Sequence, residues 1–188
     1  MALTFGDRIS GLAVNGRVLH AAVFNENEVR AAAGLTMMIG AGAFSAAYFG
    51  KDYVPLRIAA ALFFVEFLIR VTLGIRYSPM GVIARAMTSG YAPEWVSAKP
   101  KRFAWTMGLA LSFSMVIITN SGIRGLLPRT ICAICITLMW LESVLGVCVG
   151  CKIHGLLVRR GWTSKDPAFE VCAQGACELP VKAAGRSA

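Results

Sequence analysis

Six cysteines fall into three close pairs, Cys132 with Cys135, Cys148 with Cys151, and Cys172 with Cys177. The first four read Cys-x2-Cys-x12-Cys-x2-Cys, which in a soluble chain points to structural zinc. Here Cys132 and Cys148 lie in one apolar stretch, about 24 Å apart along a continuous helix, and one ion cannot reach both. The two pairs are therefore expected at opposite ends of one span. Cys148 and Cys151 carry the strongest expectation of chemistry, because they stand beside Lys152 and His154 and a nearby cation favours the reactive thiolate. The C-terminus of a helix, where the spacing puts them, works the other way, since its dipole favours positive charge. Cys172 and Cys177, around a Gly-Ala turn, are expected to resolve or reload that pair. The expected reactive set is thus Cys148, Cys151, Cys172, Cys177 and His154, exchanging electrons or sulfane sulfur. Zinc held by the same residues is the competing expectation. No nucleotide, flavin or covalent-haem motif is present, so no other cofactor is expected. Cys132 and Cys135 read first as small buried hydrophobes.

A second set of candidates is ionisable and set in apolar surroundings: Glu66, Arg70 and Glu142. An unpaired charge at membrane depth costs roughly 2.5–3.5 kcal/mol on insertion scales. Arg70 follows Glu66 by four residues and so shares its helix face. One arginine cannot neutralise two carboxylates, and Glu142 is expected to be the protonated one. A proton or anion path is the functional reading, and a buried pair orienting two helices is the competing one.

The elements that carry these residues follow from composition. Of 188 residues 56% are hydrophobic and 15% charged, against roughly 45–50% and 25% in soluble domains, and the mean hydropathy is +0.62. Windows of about 20 residues suited to a bilayer core occur at 31–50, 54–75, 103–123 and 130–151. The expected fold class is all-α, a polytopic four-helix transmembrane bundle. Residues 1–30 are expected to form an interfacial helix with Phe5, Ile9, Leu12 and Leu19 toward lipid, 31–158 the four-span domain, and 159–188 a cytoplasmic tail. Fourteen Lys and Arg outside the spans fall on one side and three on the other, which predicts both termini in the cytoplasm. The net charge of +9 then faces anionic lipid, and no nucleic-acid partner is implied. Ser78-Pro79 predicts the start of a short surface helix. Tyr77, Tyr91, Trp95, Trp105 and Trp162 are expected at the interface, and Trp140 between helices.

Several short strings in fixed order resemble a bacterial family of four-helix integral membrane proteins catalogued as a domain of unknown function. They are Phe24-Asn25-Glu26-Asn27-Glu28-Val29-Arg30, Glu66-Phe67-Leu68-Ile69-Arg70, Arg76-Tyr77-Ser78-Pro79-Met80-Gly81, Pro100-Lys101-Arg102-Phe103 and Gly146-Val147-Cys148-Val149-Gly150-Cys151. Together they cover about 24–155. The resemblance implies a membrane bundle and maps the family's Cys-x-Gly-Cys onto Cys148, Gly150 and Cys151; a link to sulfur or thiol chemistry is an association only.

Three functions compete. The leading one is a cytoplasm-facing thiol redox or sulfane-sulfur relay whose partner is a thiol or sulfur-carrier protein. The second is an accessory subunit of a larger membrane complex or homo-oligomer, motivated by the small-residue face Gly34, Gly40, Gly42 and Ala46. The third is small-anion transport past Arg70, with Glu66 and Glu142 as the proton-linked pair.

Overall fold

The computed structural model describes residues 6, 13–14, 17–18 and 22–162. In chain order the helices are α1 (Glu26–Phe49), α2 (Val54–Thr72), α3 (Pro79–Thr88), α4 (Ala98–Asn120), α5 (Leu126–Ser143) and α6 (Val149–Arg159). The four long ones, α1, α2, α4 and α5, alternate in direction around a closed bundle, with α1 between α2 and α5 and α4 completing the ring. α3 packs on α1, and α6 on α4.

Two clusters fill the bundle. Toward the end where α1 and α4 begin, Phe24, Val29, Phe67, Met80 and Trp105 meet. Toward the other end the contacts are mostly small, with Ala43, Ala47, Ala59 and Ala60 around Leu56, Met115 and Cys132. Small residues let helices approach closely where lipid offers no hydrophobic driving force. α1, α4 and α5 are long and apolar enough to cross a membrane, and only 33, 22 and 11% of their apolar windows is buried within the protein. Met38, Phe49, Phe113, Ile117 and Ile134 project outward from them, the surface a bilayer accepts and water does not. α2 has 19 residues and carries Arg57, Glu66 and Arg70.

Four expectations are corrected. Residues 1–30 are not helical up to α1 where described: Ala13–Val14 (β1) pairs with Arg17–Val18 (β2), and Val23–Asn25 (β3) pairs antiparallel with Trp95–Ser97 (β4). Valines at 14, 18 and 23 suit extended backbone, and the partner strand of β3 lies some seventy residues away, beyond any local pattern. Phe5, Ile9, Leu12 and Leu19 lie outside the described residues. The stretch 130–151 is not one helix, since α5 stops at Ser143. Trp105 is buried, its ring 4.9 Å from that of Phe24, whereas Trp140 is 44% exposed on the outer face of α5.

The surface helix forms as expected. Ser78 Oγ accepts the Gly81 N–H at 3.1 Å, and Pro79 occupies the first turn, where no amide is needed. Met80, Gly81 and Ala84 turn inward while Val82, Ile83 and Met87 stay exposed. A Cβ on Gly81 would overlap the Ile75 carbonyl oxygen, so the helix docks only with glycine there.

Candidate functional site

The break after α5 decides where Cys148 and Cys151 stand. The last carbonyls of a helix need partners, and Arg30 of α1 supplies them: Nε and Nη2 each donate to Ser143 O at 3.2 Å, and Nη2 donates to Val144 O at 3.2 Å. The Val147 N–H closes back on Leu141 O at 2.9 Å. Gly146 turns the chain at φ 65°, a conformation disfavoured for residues with a Cβ. Cys148 is then extended, and α6 begins at Val149. The two cysteines therefore sit at the start of a new helix, not at the end of the old one. The helix dipole there acts in the opposite sense, and the first amides of α6 favour a sulfur anion.

Cys148 and Cys151 are joined in a disulfide with a Cα–Cα distance of 5.2 Å. Cys148 is the N-cap, and its Sγ accepts the Cys151 N–H at 3.2 Å. Cys148 is buried, at 7% exposure, while Cys151 is half-buried. Gly150 lies against α4 so closely that a Cβ there would be 2.5 Å from Ala104 Cβ and 2.7 Å from Ala104 Cα. The glycine of Cys-x-Gly-Cys thus lets the start of α6 rest on the bundle.

His154 does not supply the expected cation. Its ring is buried against Phe103, with centroids 5.4 Å apart. Burial, and then the charge of Lys99, push its pKa below the usual 6.5, so it is neutral at pH 7. Lys152 is exposed. Cys172 and Cys177 lie outside the described residues. Cys132 and Cys135 are free thiols on α5.

Near the start of α6 is an ion network of which the apolar windows single out only Glu142. Lys101, 2% exposed in the first turn of α4, places Nζ 2.9 and 2.8 Å from the two Glu26 carboxylate oxygens and 2.6 Å from Glu142 Oε1. Glu142 thus pairs with Lys101 and not with Arg70, and it occupies the last turn of α5 because that helix ends at Ser143. Lys101 is a second buried cation, so Glu66 and Glu142 each have a partner of their own. The signal lay in the strings 24–30 and 100–103, but apolar periodicity could not bring them together.

Glu66 and Arg70 pair as their spacing predicts. Both are essentially unexposed, and Arg70 Nε donates to Glu66 Oε1 at 2.8 Å. Glu66 Oε2 accepts the Met80 N–H at 3.2 Å, so the carboxylate also holds the start of α3. Arg70 Nη2 further approaches Thr36 Oγ1 at 3.5 Å. The small-residue face of α1 is partly used internally: Gly34 faces Ser143, and Gly40 faces Ile136 and Phe63, whereas Gly42 is open.

A cavity of about 110 Å³ lies among α1, α2, α4 and α5 and reaches Val149 and Gly150 of α6. Its walls are apolar apart from Thr36, Ser112, Cys132, Cys135 and Glu142. Among the described residues no three His, Cys, Asp or Glu side chains converge as a metal cage.

A family profile described as a domain of unknown function, DUF4395, matches residues 24–159. No curated protein and no solved structure matches the chain.

Proposed function

The chain belongs to the DUF4395 family, and from that premise we propose that it is a four-span protein of a bacterial inner membrane that exchanges electrons through Cys148 and Cys151. The observation that carries this reading is the disulfide at the start of α6, with the Cys151 amide on Cys148 Sγ. A thiolate held by helix amides is a good leaving group, and a good leaving group speeds disulfide exchange. An incoming thiolate attacks the more open Cys151 sulfur, the S–S bond breaks, and Cys148 leaves as thiolate. A second external thiol, or Cys172 and Cys177, then releases the mixed disulfide.

The fourth crossing is α2. Its Glu66 and Arg70 point into the bundle and meet there, so lipid sees neither, and Arg57 near the helix end reaches Asn120 Oδ1 at 3.0 Å. With four crossings, the charge asymmetry supports a reading in which both termini, α6 and the dithiol face the cytoplasm.

The test uses the purified full chain with glutathione disulfide as probe and mass-resolved alkylation as readout. Cys148→Ser is expected to accumulate a glutathione adduct on Cys151, while Cys151→Ser reacts more slowly at the buried Cys148. Absence of an adduct in both variants, with insertion intact, overturns the reading.

A further inference from the structure

We infer that the cavity within the bundle is a site for a soft monovalent metal ion, copper(I), held by the sulfurs of Cys132 and Cys135 with the thioethers of Met115 and Met139. Such a site does not depend on the dithiol of Cys148 and Cys151. Six side chains on the cavity wall carry sulfur: Met37 on α1, Met107 and Met115 on α4, and Cys132, Cys135 and Met139 on α5. They include four of the chain's eight methionines and both thiols that are free among the described residues. Methionine in a core ordinarily fills gaps, because its unbranched side chain adapts to them. Here the methionines border a space of about 110 Å³ that they leave open. A water-sized occupant needs only about 10–15 Å³, so one metal ion fits, with room for the sulfurs to close on it.

Helix geometry gathers the donors. Cys132, Cys135 and Met139 stand at i, i+3 and i+7 on one face of α5. Cβ atoms three residues apart on a helix are separated by about 5–6 Å, which lets two sulfurs reach one ion. Met115 and Cys132 are buried in the same cluster, so α4 brings a thioether to the cysteines from the facing helix. Cys132 Sγ approaches Gly40 O only at 3.9 Å, a weak contact that an ion can replace.

The oxygens on the wall are already engaged. Thr36 Oγ1 donates to Ala32 O at 2.8 Å, Ser112 Oγ donates to Leu109 O at 3.0 Å, and Glu142 Oε1 accepts from Lys101 Nζ at 2.6 Å. Three such side chains cannot serve a hard cation, which takes about six oxygen ligands. Structural zinc takes four ligands from Cys, His, Asp or Glu, and among the described residues no three of these converge. Thiolate with thioether is the donor set that selects copper(I).

Charge favours the same ion. The cavity lies among helices long and apolar enough to cross a membrane, where an uncompensated charge is costly. Copper(I) with one thiolate and neutral thioethers carries no net charge. On loading, one S–H bond of the cysteine pair breaks, one Cu–S bond forms and the proton leaves to water. The other thiol stays protonated as a neutral donor, and neither metal nor sulfur changes oxidation state.

The experiment uses the full chain in lipid nanodiscs, carrying Cys148→Ser, Cys151→Ser, Cys172→Ser and Cys177→Ser so that only the two α5 thiols remain. Copper(I) is supplied without oxygen against bicinchoninate as competing chelator. Copper per chain and X-ray absorption at the copper edge are the readouts. One copper per chain is expected, with sulfur neighbours alone. Met115→Leu and Met139→Leu conserve volume and so the fold, and each is expected to weaken binding at least about tenfold, the loss typical even of groups that stand behind a metal ligand. Adding Cys132→Ser and Cys135→Ser together is expected to abolish it. In the unmodified chain, copper(I) is expected to shield Cys132 and Cys135 from mass-resolved alkylation, which tests the site without any substitution. Undiminished binding in both methionine variants or in the chain without cysteines overturns the inference. Nitrogen or oxygen neighbours at the copper, zinc retained in preference to copper(I), or unshielded Cys132 and Cys135 in the copper-loaded unmodified chain overturns it as well.

Discussion

Replacing Lys101 by methionine tests whether the ion network holds the site together. Methionine keeps the length and apolar stem of lysine, so packing changes little and the ammonium is the group removed. Two carboxylates, Glu26 and Glu142, then lie close together with their shared cation gone. Removing one partner of a buried pair costs about 3–5 kcal/mol. The Glu142 side chain keeps 13% exposure, and the water it retains argues for the lower end, about 3 kcal/mol. Since 1.4 kcal/mol is tenfold, the folded population relative to unfolded should fall by more than a hundredfold.

The assay is denaturant unfolding in bicelles, followed by the accessibility of Cys132 to alkylation. The triple variant Lys101→Met, Glu26→Gln, Glu142→Gln supplies the control. With all three charges removed the site is neutral again, and stability should return to within about 1 kcal/mol of the parent, as it does when entire buried ion networks are replaced. A Lys101→Met cost below about 1 kcal/mol would refute the reasoning, because the network would then behave as a solvent-screened surface pair.

Gly150→Ala places a methyl 2.5 Å from Ala104 Cβ, and the start of α6 must move off α4 at a cost of about 1–3 kcal/mol; hydrogen exchange should rise across 149–159, and unchanged exchange would contradict the packing. His154 has a folded-state pKa below its ordinary 6.5, through burial and then Lys99. Its neutral form therefore stabilises α6 docking above that value, and the contribution is lost as pH falls below it. Protease sensitivity of α6 should increase on acidification from pH about 7.5 to about 5.5, and His154→Gln should remove most of that dependence.

The long helices were legible because bilayer-length apolar windows are a strong local signal, and Glu66 with Arg70 because four residues is one helical turn. Ser78-Pro79 was legible for the same local reason. Lys101 was not, because its partners stand 75 and 41 residues away in sequence and hydropathy counts it only as a loop cation. Trp105 and Trp140 exchanged environments for a related cause: a window gives depth along a helix but not the face. The break before Cys148 escaped because 144–151 is as apolar as a span, and only Gly146 marks it.

That break also sets the sense of the helix dipole at the cysteines. In a continuous helix through residue 151 the sulfurs would stand at a C-terminus, whose dipole opposes a thiolate by about 0.3–1 kcal/mol. Restarting the helix at Val149 changes the sign, a difference of about 0.6–2 kcal/mol in the interaction of the dipole with a sulfur anion. The restart is possible only if the orphan carbonyls of α5 are satisfied and the new helix is held in place. Arg30 does the first from α1, and the fit of Gly150 on Ala104 does the second on α4. Glu26, one turn before Arg30, ties α1 to α4 and α5 through Lys101. The strings 24–30, 100–103 and 146–151 are therefore parts of one device, in which a buried ion network on three helices fixes the start of a fourth and, with it, the position of the sulfur that caps it.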